Sequence, residues 1–318
     1  MITYNLQKNF STDAVDIDSE DFCFEYSDAA GAGDGSEAIF SYPPILYRNQ
    51  KQCVPVRGKN SLTLHAQLGK PVPCVLVVEG FLAVLDAVLY SIGVKAQTGG
   101  FTVVEKSLAL KRLYSISDEL EDSVYNLLDI PRNDRIIQHY LTLADAPAAI
   151  KDMVSSGILH ENTAFELFNL ERAAWIPAAE FITEVALGTK KRNEIIVMLR
   201  DIARRDQKEL LGLIGSGHMQ AILRDAGMDP SHRGEKLYRY IRNMRYPSIH
   251  AYRKRFDKKL GEVNIDRKFH LVLPENFEKW EFRLVIPFSS LEEFQDNIEI
   301  LQRTGKQSSF AELMNMRY

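Results

Sequence analysis

The chain has 318 residues, 45% hydrophobic and 26% charged, an ordinary balance for a folded globular protein. Its 39 Lys and Arg against 43 Asp and Glu leave a net charge of −4, so the chain as a whole is no electrostatic magnet for nucleic acid. Three cysteines, Cys23, Cys53 and Cys74, contain no C-x-x-C pair, which excludes a disulfide framework and a cysteine-built zinc site. The opening ten residues lack a signal-peptide pattern, and the most apolar window, 71–94, is interrupted by Glu79 and Asp86. A cytoplasmic protein without a membrane span is expected.

Charge is unevenly spread. Residues 1–50 carry nine acids against Lys8 and Arg48, a net of −7, whereas residues 190–260 carry 18 bases and 8 acids, a net of +10. The basic stretch is where a polyanion would bind. The predicted divisions are 1–104, 105–188, 189–262 and 263–318.

Residues 1–104 read as α/β, with strands at 45–47, 54–56 and 75–78, a turn at 49–51 and a glycine-rich loop at 28–36. From 105 to 188 the pattern is helical, with a helix start at Asp145 before Ala146-Pro147 and a stop at Gly157. Helices continue to 262; Ile195, Met198, Leu199 and Ile202 share one face, opposite Arg200 and Arg204. The period then changes. Trp280, Phe282, Leu284, Ile286 and Phe288 alternate with polar residues, predicting a half-buried strand at 280–288 paired with one at 268–274. Ser290 and Glu293 match a capping box opening a helix to 303, after which a loose tail is expected. The predicted fold class is α+β: an α/β front, an all-α middle and a C-terminal helix–β-hairpin–helix.

Tyr42-Pro-Pro-Ile-Leu-Tyr-Arg48, Arg57-Gly-Lys-Asn-Ser-Leu-Thr-Leu-His-Ala-Gln-Leu-Gly69 and the stretch from Lys95 to Leu113 resemble, in order, three boxes of the ParB-type chromosome-partition proteins. The region 127–170, with Gly157-Ile-Leu-His-Glu-Asn-Thr-Ala164, resembles the family's helix-turn-helix segment. The resemblance covers residues 13–170. It implies a ParB/sulfiredoxin-like N-terminal domain, DNA as partner, partition or transcriptional regulation as function, and CTP with Mg as a nucleotide ligand. Arg48, Arg57, Gly58 and Lys59 are the residues it assigns to the nucleotide. The family's paired arginines after the glycine are here Asn60 and Ser61, and its third-box arginine is missing around Gln97-Thr98-Gly99. Guanidinium gives bidentate bonds to phosphate that these residues cannot replace. A degenerate nucleotide site without CTP hydrolysis is therefore expected, and a CTP-dependent DNA clamp is the alternative. Sulfiredoxin chemistry needs a cysteine in the turn Gly58–Ser61, which has none. The seven histidines are scattered, and no catalytic or metal constellation is visible.

The helix-turn-helix is predicted as 118–128, a turn at 129–132 with Asp129 in the usual glycine position, and 133–144. In the second helix Ile137, Tyr140, Leu141 and Ala144 would be buried. Arg132, Asn133, Arg135, Gln138, His139 and Thr142 would face DNA. Arg200, Arg204, Arg239 and Arg242 would track phosphates, together with Lys190, Lys191, Arg192 and Arg205. The C-terminal module is similar in outline to the family's dimerisation module, and its two-stranded sheet needs a partner for its apolar face, so a homodimer is expected. The rival reading is a non-catalytic adaptor whose acidic front binds another protein.

Overall fold

The computed structural model describes residues 2–19, 21–24, 43–48, 52–80, 83–263, 265–266, 268–272 and 282–316. The predicted loop 28–36, turn 49–51 and the start of the strand at 280–288 lie outside them. The chain divides into two compact units, Met1–Val197 with Leu210–Gly215, and Met198–Glu209 with Ser216–Tyr318.

In the first unit, strands β1 (Thr3–Phe10), β2 (Ile45–Arg48), β3 (Cys53–Arg57) and β4 (Val72–Glu79) form one mixed sheet in the order β1-β4-β2-β3. The β1–β4 and β2–β3 pairs are antiparallel and the β2–β4 pair is parallel. Pairing in β1–β4 steps over Asn9 and Pro73, because Pro73 has no N–H to give; Asn9 there takes φ 50°. Helix α1 (Lys59–Gln67) puts Leu62 onto Leu46, Val72, Val75 and Val77 to make the sheet core. Gly58 opens α1 in a left-handed conformation at φ 83°, where an added Cβ would sit 3.0 Å from Pro44 Cα.

Helices α2 (Val84–Thr98), α3 (Val103–Tyr114), α4 (Asp122–Leu128), α5 (Asp134–Ala144), α6 (Ala148–Ser155), α7 (Glu161–Leu167) and α8 (Trp175–Glu184) follow. The α2–α3 junction is built on one carboxylate. Thr102 accepts from the Glu105 N–H at 3.3 Å, while Glu105 accepts from the Thr102 N–H at 2.8 Å, a complete capping box. The same carboxylate takes Lys95 Nζ from the last turn of α2 at 2.8 Å, and Glu105 is only 4% exposed. The sequence expectation of a helix start at Asp145 is corrected. Asp145 closes α5, where its carboxylate pairs with Lys111, and Pro147 stands at the start of α6. Gly157 does stop α6, at φ 76°.

Helix α9 (Thr189–Asp206) contributes to both units, and α10 (Leu210–Ile214) belongs to the first. The second unit holds α11 (Gly217–Leu223), α12 (Pro230–Arg245), α13 (Pro247–Glu262), the hairpin β5 (His270–Val272) and β6 (Arg283–Val285), then α14 (Leu291–Gly305) and α15 (Ser308–Asn315). Its core joins Tyr252 and Phe256 of α13 to Leu313 of α15, with Leu271 and Phe282 packed against them. Phe256 and Phe282 stack at 5.6 Å. Two expectations change here. The tail is not loose: α15 carries the buried Leu313, and Met316 accepts from the Tyr252 hydroxyl at 3.2 Å. The strand around 280–288 is not evenly half-buried either. Its described part ends at Val285, Pro287 follows, and Leu284 and Phe288 are exposed. The coarse architecture is thus a mixed α/β front, a helical middle and a C-terminal hairpin flanked by helices.

Replacing Glu105 by Ala would remove the 2.8 Å ion pair with Lys95 and a capping-box member. A loss of about 3 kcal/mol in urea-unfolding free energy is expected, since a largely buried ion pair and a helix cap are lost together. Ala at the solvent-facing Glu121 would cost less than about 0.5 kcal/mol in the same measurement.

Candidate nucleic-acid interface

Helix α4 ends on Asp129, which adopts φ 50° and ψ 54°, the left-handed turn that glycine usually supplies. The strain of a side chain in that region is offset from α3, where Lys106 Nζ donates to the Asp129 carbonyl and to its carboxylate, both at 3.0 Å. Asn133 then opens α5, its side-chain oxygen accepting from the Arg135 and Ile136 N–H groups at 3.1 and 3.3 Å. Ile137, Tyr140, Leu143 and Ala144 are buried and α5 packs on α3. Leu143 is buried and Leu141, expected in the core, is half-buried, because the buried stripe is turned toward positions 140 and 143.

The six residues proposed to face DNA are not equivalent. Arg135 and Gln138 stand exposed on the outer face of α5. Arg132 is exposed too, but it is held by Asp122 and lies 5.7 Å over the Tyr125 ring. Burial and the Tyr114 hydroxyl, 2.6 Å away, push the Tyr125 phenol up to about 12. Asn133 spends its carbonyl oxygen on the cap, and Thr142 donates back to the Gln138 carbonyl at 2.8 Å. His139 stacks on Phe165 at 4.9 Å. Burial, and then the Arg135 charge, lower its pKa below the ordinary 6.5, against an opposing pull from Glu166.

The expected phosphate-tracking set divides in the same way. Arg204 and Arg239 are exposed, while Arg200 lies 4.0 Å from the Asp201 carboxylate and Arg242 is half-buried. Lys190 is exposed and Lys191 half-buried. Arg192 donates to the Val185 carbonyl at 3.0 Å. Arg205 closes the end of α12, donating to the carbonyls of Arg245 at 2.9 Å and Met244 at 3.0 Å. These last two guanidiniums are structural. The larger exposed cation cluster is on α13, where Arg253, Lys254, Arg255 and Lys258 are exposed while Tyr252 and Phe256 are buried, the Arg255 guanidinium lying 5.8 Å over the Tyr252 ring. Sequence reasoning counted this charge without naming the residues; the R-K-R-x-x-K spacing was the signal.

The residues assigned to a nucleotide do not converge. Ile45 pairs with Arg57 and Arg48 with Cys53, so Arg48 lies three residues, about 10 Å, along β2 from the end that meets Gly58. Arg48 pairs instead with Glu79 at 3.7 Å, and its pKa is raised through Cys53 and Glu79. Arg57 and Lys59 flank the left-handed Gly58 at the start of α1, with Asn60 and Ser61 in its first turn. One strand-end arginine and one lysine do not fit a triphosphate, which calls for several convergent guanidiniums. Among the described residues no group of three or more His, Cys, Asp or Glu could hold a metal ion, and no helix is long and apolar enough to cross a membrane.

Comparison with protein-family models and with curated proteins gives no match for this chain.

The neutral state of His139 is the one the fold favours. Its contribution to stability is present above pH 6.5 and is lost as pH falls from there through the lower folded value. In an NMR titration the His139 ring should titrate below 6.5, and Arg135→Ala should move the midpoint upward. An unmoved midpoint in that variant would show that Arg135 is too distant to act on the ring.

Proposed function

We propose that this chain is a DNA-binding protein of ParB-like plan, acting in partition or transcriptional regulation beside the nucleoid. The observation that supports this most is the left-handed Asp129 turn, tied to α3 by Lys106, which sets the exposed Arg135 and Gln138 at the front of α5. An arginine and an amide on one outward helix face are the residue types that pair bidentately with guanine and adenine edges in a major groove. Asn133 and the first turn of α5 lie where a helix N-terminus meets a phosphate. Arg132 acts as a positioning residue, keeping α4 on the turn through Asp122 and Tyr125. In the second unit, Arg204, Arg239 and the α13 cations supply contacts to the DNA backbone that carry no sequence information. No enzymatic step is assigned to the nucleotide boxes.

Sheared genomic DNA passed over the purified protein at physiological salt, followed by sequencing of what is retained, tests the reading directly. One or a few sharp peaks are expected. Arg135→Ala with Gln138→Ala should abolish the peaks, at a cost of about 1–3 kcal/mol for each bidentate pair lost. Neutralising Arg253, Lys254, Arg255 and Lys258 should leave the peak positions unchanged. It should lower the slope of log affinity against log salt by about 0.9 for each phosphate contact removed. Absence of any retained DNA would overturn the reading and turn the search to a protein partner of the acidic front.

A further inference from the structure

A titratable side chain stands at the edge of the face that α5 would turn to DNA. Gln138 and His139 follow Arg135 by three and four residues, so all three share one side of the helix. The His139 ring lies against Phe165 of α7, with centroids 4.9 Å apart and planes within 25° of parallel. It is half-buried, whereas Arg135 and Gln138 are exposed. The imidazole is thus shared between the α5–α7 contact and the outward face.

Its charged neighbours act in opposite directions. Arg135, one turn earlier on α5, opposes a positive charge on the ring, and Glu166 of α7 favours one. The remaining charges of α7 and α3, the helices packed on α5, have other partners. On α3, Glu105, Lys106, Lys111 and Arg112 pair with Lys95, Asp129, Asp145 and Asp21. On α7, Glu161 acts on the Tyr140 phenol. His160 caps the start of α7, its Nδ1 accepting from the Asn162 N–H at 3.2 Å. In the free protein, burial and the Arg135 charge outweigh Glu166, and the neutral ring is favoured.

DNA reverses that balance. A helix seated in the major groove has phosphates on both walls, and a side chain flanking the base-reading pair meets one of them. The imidazolium donates from both nitrogens and carries charge; the neutral ring has one N–H to give. A phosphate therefore favours the protonated form.

We propose that His139 takes up a proton when the chain binds DNA and then holds a backbone phosphate, so that the grip on DNA tightens as pH falls. The inference rests on the DNA reading of α5 and adds its regulation. Linkage fixes the sign. The bound form carries more protons, so affinity rises toward acid, with a limiting slope of about one log unit per pH unit for one ring. The gain levels off once the ring of the free protein protonates too, below 6.5.

Fluorescence anisotropy tests the proposal, using the full chain and a labelled duplex of a sequence retained from genomic DNA, between pH 8 and pH 5.5. Wild-type affinity should rise about three- to tenfold over that range, a factor of ten corresponding to one pKa unit. The slope of log affinity against log salt should steepen by about 0.9 at the acid end, for one more phosphate contact. His139→Gln keeps a polar side chain without a titratable ring, and should lose both effects. His160→Asn keeps a cap on α7 and should retain both. The NMR titration of the His139 ring needs no variant, and its midpoint should move upward on the duplex. Equal affinity at the two pH values, wild-type pH dependence in His139→Gln, or an unmoved ring midpoint on DNA would each overturn the proposal and leave the DNA reading standing. A chain that binds no duplex at either pH would overturn the DNA reading itself, and this inference with it.

Discussion

The Glu105 carboxylate is the constraint on which the first unit turns. It takes the Thr102 N–H and the Lys95 ammonium at 2.8 Å each while being almost wholly buried, so it fixes the end of one helix against the start of the next. A buried charge is tolerable only with such partners, and the geometry that satisfies it leaves little freedom in the angle between α2 and α3. On one side, Ser91 of α2 donates to the carbonyls of Phe22 and Val56, tying that helix to the sheet region. On the other, α3 carries Lys106, which holds the Asp129 turn, and packs on α5. The placement of the outward face of α5 is therefore a consequence of a polar junction three helices upstream.

The use made of arginine separates structure from interface. Arg205 and Arg192 look, in the sequence, like any other members of a basic run. Folded, each donates to backbone carbonyls and closes a helix end or a turn. Arg132 is partly withdrawn in the same way, by Asp122 and by the Tyr125 ring. The cations left exposed are a smaller set, Arg135, Lys190, Arg204, Arg239, Arg253, Lys254 and Lys258, on helices whose opposite faces are anchored by Ile137, Ile202, Leu237, Ile241, Tyr252 and Phe256. Long basic side chains serve both purposes because their donors reach far from the backbone. Only the carbonyls within that reach decide which purpose applies.

Arg48 and the Arg57–Lys59 stretch show how strand register can part residues that a motif groups. Arg57, Gly58 and Lys59 are consecutive and stay together at the mouth of α1. Arg48 belongs to the neighbouring strand, and the pairing of Ile45 with Arg57 sends it to the far end. Register depends on the bulge between Ile45 and Leu46 and on the hydrogen bonds around it, neither of which is written in the spacing of the residues. The same fold retains a left-handed glycine, packed against Pro44, where only a residue without Cβ fits.

The sequence by itself determined the local features. The periodicity of 137, 140 and 144 and of 195, 198, 199 and 202 gave the helices and their buried faces. Asp129 was legible as a left-handed turn, Gly157 as a helix stop, and Ser290 with Glu293 as a helix start, in which Glu293 reaches back to the Ser289 N–H at 2.8 Å. These signals are short-range, because backbone sterics and capping act within a turn of the chain. Tertiary structure alone decided which charges were already engaged, that Arg48 and Gly58 stand apart, and that Leu271 and Phe282 pack on α13 while Val272, Leu284 and Val285 stay exposed. Each of those outcomes depends on which distant residues arrive within about 4 Å, and a pattern of spacings along one chain carries no record of that.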